Sequence, residues 1–350
     1  MKKAIILCAI IATLAGYPPA PGAAEDAGSI NGAGATFPAP IYLQWAYQYN
    51  QIHPGIRVNY QSIGSGAGIQ QIKSRTVDYG ASDAPMKAAE LDSNGLIQFP
   101  MIMGGVVPII NVSGISAGQL KLDGPTLANI FRGKVTRWDD PAIKELNPEL
   151  SLPAKAIGVV HRSDGSGTTW IFTNYLSSVS AEWAKEVGAD KAVAWPAGNG
   201  GKGNEGVAAF VQQMDGSIGY VEYAYALQNR MSHVRLKNAD GNYVAPSRET
   251  FAAAAANADW THAPGFYMIL VNQSGKDSWP ISGASFIILP KQQPNAARAR
   301  IMLEFFDWCY RQGKEQALKL DYVPLPENVI ALVQDTWKSI LNAEGKSVWP

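Results

Sequence analysis

One pattern, written three times, restricts what this chain can fold into: a strand-like run, a short polar turn rich in glycine and hydroxyl residues, then the opening of a helix. In one copy, Ala156-Ile157-Gly158-Val159-Val160 reads as a short buried strand. His161-Arg162-Ser163-Asp164-Gly165-Ser166-Gly167-Thr168 is the turn, and Thr169–Leu176 reads as the first turns of a helix. In another, Val58–Ile63 alternates like a half-buried strand and passes through Gly64-Ser65-Gly66-Ala67-Gly68 into Ile69-Gln70-Gln71-Ile72. In the third, Gly32–Pro40 leads into the helix-like Ile41–Tyr47. Such units predict the α/β class, with mostly parallel sheets flanked by helices on both faces. They place the turns at the carboxyl ends of strands, where ligands bind in such sheets. Further strand-like runs (Val106–Val112, Ser217–Val221, Ser285–Leu289) alternate with helix-like ones (Gly124–Phe131, Glu205–Met214, Asn295–Arg311, Glu327–Leu341), which supports the same class.

The turns also have a shared chemistry. Small residues leave backbone N–H groups free to point at a ligand, and a helix N-terminus favours negative charge. Arg162 adds a permanent cation whose forked donors suit an oxyanion. A purely structural alternative is a capped helix after a tight turn, with Arg162 paired to Asp164. Three such turns in one chain favour an anion site built mainly from neutral donors. No Walker pattern is present, because Gly203 follows Lys202; no Rossmann fingerprint fits, because Phe37 stands where its third glycine would be.

A fourth segment, Val77–Pro85, reads as a short strand ending in a turn that carries Asp83. Asp before Ala-Pro commonly serves as an Asx-turn residue. In an anion site its meaning sharpens. A carboxylate repels a fully ionised anion but accepts a hydrogen bond from one that still carries a proton. Asp83 in such a site selects phosphate over sulfate, and sites that leave buried groups unpaired discriminate by roughly 10⁴ or more.

Composition narrows the function classes. The 350 residues are 47% hydrophobic, enough for one large core or two moderate ones. Balanced charge, 29 basic against 29 acidic residues, argues against nucleic-acid binding and against a polybasic membrane contact. His53, His161, His233 and His262 show no metal-ligand spacing, and neither HExxH nor GxSxG occurs. A secreted phosphatase using Ser65 or Ser166 therefore has only His161 as a candidate base. Cys309 lies in an aromatic-rich helix and reads as a small buried hydrophobe.

The N-terminus has the form of a secretory signal: Lys2-Lys3, an apolar Ala4–Leu14, then small residues through Ala24. Ala4–Leu14 falls short of the ~20 apolar residues that span a bilayer. Leu7 before Cys8 does not suit lipid attachment. Cleavage near Ala24, leaving residues 1–24 as a signal peptide, predicts a periplasmic protein with 27 basic and 29 acidic groups and one cysteine, too few for an internal disulfide.

Taken together, Gly32–Pro40, Gly64–Gly68, Asp78–Pro85, Arg162–Thr168, Gly198–Gly206, Asp215–Ala224 and Phe305–Trp308 resemble the periplasmic phosphate-binding proteins of phosphate-specific ABC transporters. The likeness runs from about Ile30 to the C-terminus. It implies a two-lobed periplasmic-binding-protein fold that closes on inorganic phosphate in the inter-lobe cleft. Lobe I would comprise 25–104 with 282–350, and lobe II 105–281. Carried over by position, Thr36, Phe37 (through its N–H), Ser65 and Asp83 would bind from lobe I. Arg162, Ser166, Gly167 and Thr168 would bind from lobe II, with Asp164 holding Arg162. One departure is His161, where the family pattern has an arginine. The resemblance implies a non-catalytic monomer without cofactor or bound metal, whose partner is an ABC permease in the inner membrane. A phosphate scavenger or adhesin acting without a permease is the other binding role. Asn199–Gly206 reads as a structural loop or part of the cleft mouth.

Overall fold

The computed structural model describes residues 28–350; the signal-like segment and its cleavage position lie outside them. Among the described residues, nine strands join in one sheet. Eight of them are β1 (Ser29–Gly34), β2 (Arg57–Ser62), β3 (Tyr79–Ser82), β4 (Leu96–Asn111), β5 (Gly158–Arg162), β6 (Asn199–Gly201), β7 (Ser217–Glu222) and β8 (Ser282–Pro290). They stand in the order β2-β1-β3-β8-β4-β7-β5-β6, and the short strand Ser232–His233 pairs with β4.

The sheet divides into three regions by direction. At one end β1 runs parallel to β2 and β3. At the other, β5 runs parallel to β6 and β7. Between them β8 is antiparallel to both β3 and β4, and β4 is antiparallel to β7. The parallel regions are the strand–turn–helix units legible in the sequence. The antiparallel centre comes from two long strands whose partners lie far away along the chain.

β4 is the element common to both ends. Leu96–Gly105 pairs with β8, and Val106–Asn111 pairs with β7. The whole strand is buried except its last residue. A strand covered on both faces reads as a continuous apolar run without alternation; Gln98, Pro100 and Gly104-Gly105 interrupt that run in the first half, so only the second half stands out in the sequence. Pro100 is accommodated beside a register shift between Ser285 and Phe286. Gly105 lets the Phe251 ring lie against the backbone; a Cβ there would run into that ring.

Helices begin where the turns end: α1 (Ala39–Ile52), α2 (Ser65–Lys73), α3 (Gly167–Val179) and α4 (Gly203–Gln213). The helix Gly124–Phe131 falls where its sequence pattern puts it, capped by Asp123 accepting from the Thr126 N–H at 2.9 Å. The helix Ala296–Arg311 buries Phe305, Phe306 and Cys309 against the sheet, where Phe306 meets the Tyr79 and Phe99 rings edge-on. Burial pushes the Cys309 thiol up, out of nucleophilic use. No helix among the described residues is long and apolar enough to cross a membrane.

Candidate functional site

Because β1, β2 and β3 are parallel, their carboxyl ends lie side by side and present Thr36, Ser65 and Asp83 from adjacent turns. Parallel β5 and β6 do the same for Arg162 and the α4 N-terminus. The two sets of turns meet. Gly66 N–H donates to the Gly165 carbonyl at 2.8 Å, and Gly167 N–H donates to Ser65 Oγ at 3.1 Å.

Thr36, Phe37, Ser65 and Asp83 are all buried. Ser65 opens α2 after Gly64, whose φ of 93° is one that glycine adopts freely. Its Oγ also accepts from the Asp83 N–H at 3.2 Å. Phe37 packs edge-on against Tyr322, whose hydroxyl donates to the Phe37 carbonyl at 2.7 Å. The Phe37 N–H makes no hydrogen bond within the described protein. Asp83 is 1% exposed, and neither of its carboxylate oxygens has a partner of good geometry among the described residues. Burial pushes its carboxyl up to about 7, against the downward pull of the Ser285 hydroxyl, the Arg162 charge and the Ser65 hydroxyl.

The opposite wall is fully wired. Arg162 is buried and grips Asp164 with both prongs, Nε to Oδ1 at 2.8 Å and Nη2 to Oδ2 at 2.5 Å. Its Nη1 donates to Thr168 Oγ1 at 3.3 Å. The Asp164 Oδ1 also accepts from the Gly203 N–H at 3.0 Å. Burial pushes Asp164 up, but the Arg162 bonds and charge and the Gly203 N–H outweigh it and hold the carboxyl below the ordinary range. Ser166 caps α3, its Oγ accepting from the Thr169 N–H at 3.0 Å. Gly167 faces Asp83 and Ser65 so closely that a Cβ would stand 2.5 Å from an atom of each.

Hydrogen bonds and close approaches thus join Thr36, Ser65, Asp83, Arg162, Asp164, Gly167 and Thr168 in one place. Phe37 and Ser166 are their buried chain neighbours, and the Arg162–Asp164 pair expected as a structural alternative is present. His161 lies off to the side, its ring stacked on Trp195 at 4.8 Å. Two residues escaped the sequence analysis. Asn204, second in α4, is buried and donates through Nδ2 to Thr36 Oγ1 at 2.7 Å and to Thr168 Oγ1 at 3.2 Å. The signal that would have found it is the Gly-rich run Gly198–Gly203, where β6 passes through Lys202 into α4. Glu222 ends β7; its Oε2 accepts from the Ala224 N–H at 2.8 Å and lies 3.0 Å from the Tyr322 hydroxyl. Burial pushes its carboxyl well up. No group of three or more His, Cys, Asp or Glu among the described residues is placed to hold a metal ion.

Known proteins resemble this chain in sequence and in fold. Residues 19–312 match the PBP superfamily domain. The chain is 53% identical over 349 residues to the phosphate-binding protein PstS of Pasteurella multocida, spanning 99% of each. It is 53% identical over 316 residues to the PstS of Haemophilus influenzae, spanning 90% of this chain and 94% of that protein. Among solved structures, a high affinity periplasmic phosphate-binding protein (PfluDING) bound with phosphate superimposes with a TM-score of 0.71 at 22% identity. The overlap covers 88% of this chain and 94% of that one, and shows a shared fold.

Proposed function

Because this chain belongs to the PBP superfamily and, by its relatives, to the phosphate-binding proteins, we propose that it binds inorganic phosphate and hands it to an ABC import permease in the inner membrane. It works as a monomer in the periplasm and binds without catalysis. Thr36, Phe37, Ser65 and Asp83 bind from a lobe formed by 25–104 with 282–350. Arg162, Ser166, Gly167 and Thr168 bind from a lobe formed by 105–281, with Asp164 setting the Arg162 fork. The split of β4 pairing between Gly105 and Val106 supports those boundaries. Only a closed arrangement makes both sets of contacts, so binding shifts a hinge equilibrium towards closure.

The observation that carries this function is Asp83: a buried carboxyl without a partner, set among donors. A phosphate that still carries a proton satisfies it; sulfate brings an oxygen against an oxygen. Titration calorimetry on ligand-stripped protein near neutral pH, with phosphate and then sulfate, tests it. Phosphate is expected to bind and sulfate to give no heat of binding; comparable affinities would overturn the assignment.

A further inference from the structure

The two threonine hydroxyls of this site, Thr36 and Thr168, share a bonding state. A threonine or serine hydroxyl has one proton to donate and room for two incoming donors. Thr36 Oγ1 takes both Asn204 Nδ2 at 2.7 Å and the Asn204 backbone N–H at 3.3 Å. Thr168 Oγ1 takes Arg162 Nη1 at 3.3 Å and Asn204 Nδ2 at 3.2 Å. Each oxygen is saturated as an acceptor, so its own proton must point away from those donors. The Asn204 amide is itself oriented, since its Oδ1 accepts from the Glu222 N–H at 3.0 Å and thereby turns the Nδ2 protons towards the two threonines.

We infer that Asn204 is a positioning residue that makes Thr36 and Thr168 obligate donors to the bound oxyanion, one from each wall of the cleft. It sits at the start of α4 on the Arg162 side yet bonds Thr36 on the other, so it acts only when the two sets of turns meet. The donor character of the site is thereby coupled to closure. A hydroxyl left free to rotate has to be ordered by the anion itself on binding, at an entropic cost that prior orientation removes. This role rests on the phosphate-binding function proposed above.

A double-mutant cycle in phosphate affinity, measured by calorimetry near neutral pH, separates the two. Thr36→Val is expected to weaken phosphate binding about tenfold, the size of a lost hydrogen bond to a charged group. Asn204→Ala is expected to cost about as much. The double variant is expected to lose less than the product of the two, by about threefold or more, because Asn204 works through Thr36. Thr36→Val with unchanged affinity would remove Thr36 from the site and overturn the binding assignment itself. Weakened Thr36→Val with losses that multiply would overturn only the role of Asn204. Asn204→Asp guards against a folding defect, since it keeps the acceptor for the Glu222 N–H. Its carboxylate draws both threonine protons to itself, so phosphate binding is expected to fall more than in Asn204→Ala at about pH 8. Binding should recover relative to wild type towards about pH 5, as the acid regains a proton to donate. A variant-to-wild-type ratio flat across that range would overturn the inference.

Discussion

Two aspartates face the same cleft and have opposite fates. Asp83, at the end of β3, has no partner of good geometry, and burial pushes it up to about 7. Asp164, past the end of β5, is gripped by Arg162 and a backbone N–H and is held below the ordinary range. One wall keeps an acid available to accept a proton; the other spends its acid on aiming a cation. The difference teaches that this site is not simply electropositive. Arg162 arrives already paired with Asp164, so under the proposed function discrimination between anions would fall to hydrogen-bond polarity rather than net charge.

The largest expected consequence of that asymmetry is in stability. Asp83 has a folded value above its ordinary one of about 4, so the folded state binds more protons than the unfolded state between about 4 and about 7. Ligand-free protein is therefore expected to lose on the order of 4 kcal/mol from this group as pH rises through that window, with the loss complete above it. Asp164 has the opposite sign: its contribution is present above the ordinary carboxylate value and fades as pH falls through its lowered one. Urea midpoints against pH for wild type and Asp83→Asn check this. The variant should show a shallower decline, because the buried Glu222 carboxyl, also pushed up, keeps its own share, and parallel curves would contradict the burial effect at Asp83.

Next in size is the space between the two walls. Gly167→Ala puts a methyl against Asp83 and Ser65, and phosphate affinity is expected to drop by about a hundredfold, roughly 3 kcal/mol. Small-angle scattering should then show no compaction with phosphate. Wild-type affinity in this variant would mean that the walls do not close as tightly as the structure draws them.

Asp83→Asn sharpens the comparison chemically. An amide can donate where a carboxylate only accepts. The phosphate-to-sulfate preference is expected to shrink by tenfold to about a hundredfold, mostly through newly admitted sulfate. Competition of sulfate against labelled phosphate reads this directly, and an unchanged preference would move selectivity elsewhere.

The smallest effects are expected on the wired wall. Arg162→Ala should weaken phosphate about tenfold, and Asp164→Ala by several-fold as the fork loses its aim. If Asp164→Ala proved worse than Arg162→Ala, Asp164 would matter through Gly203 and α4 rather than through the arginine.

Why these predictions can name residues at all is that the site is made of local units. Ser65, Arg162 and Gly167 stand in turns whose flanking strand and helix are visible in short windows of sequence. The sheet order is not local. Nothing near Tyr79–Ser82 announces that β8 will lie beside it, and the first ten residues of β4 carry Gln98, Pro100 and Gly104-Gly105, which break up its strand signal. Asn204 was missed for a related reason. Its role depends on Thr36 and Thr168 being brought to it from distant turns, and its own stretch, Asn199–Gly206, reads as a structural loop or part of the cleft mouth.

The position of β8 also governs the order in which the protein can be made. It is the last strand of the large sheet along the chain yet stands between β3 and β4, two of the earliest. A chain emerging from its N-terminus holds the flanking edges of β3 and β4 open until Ser282–Pro290 arrives. Open edges are templates for pairing with other chains, and contacts this distant along the chain form slowly. A nascent polypeptide interrupted before residue 282 is thus no functional half. It is an aggregation-prone remnant, exposed while more than half of the chain is made, from Ser82 to Ser282 of 350 residues.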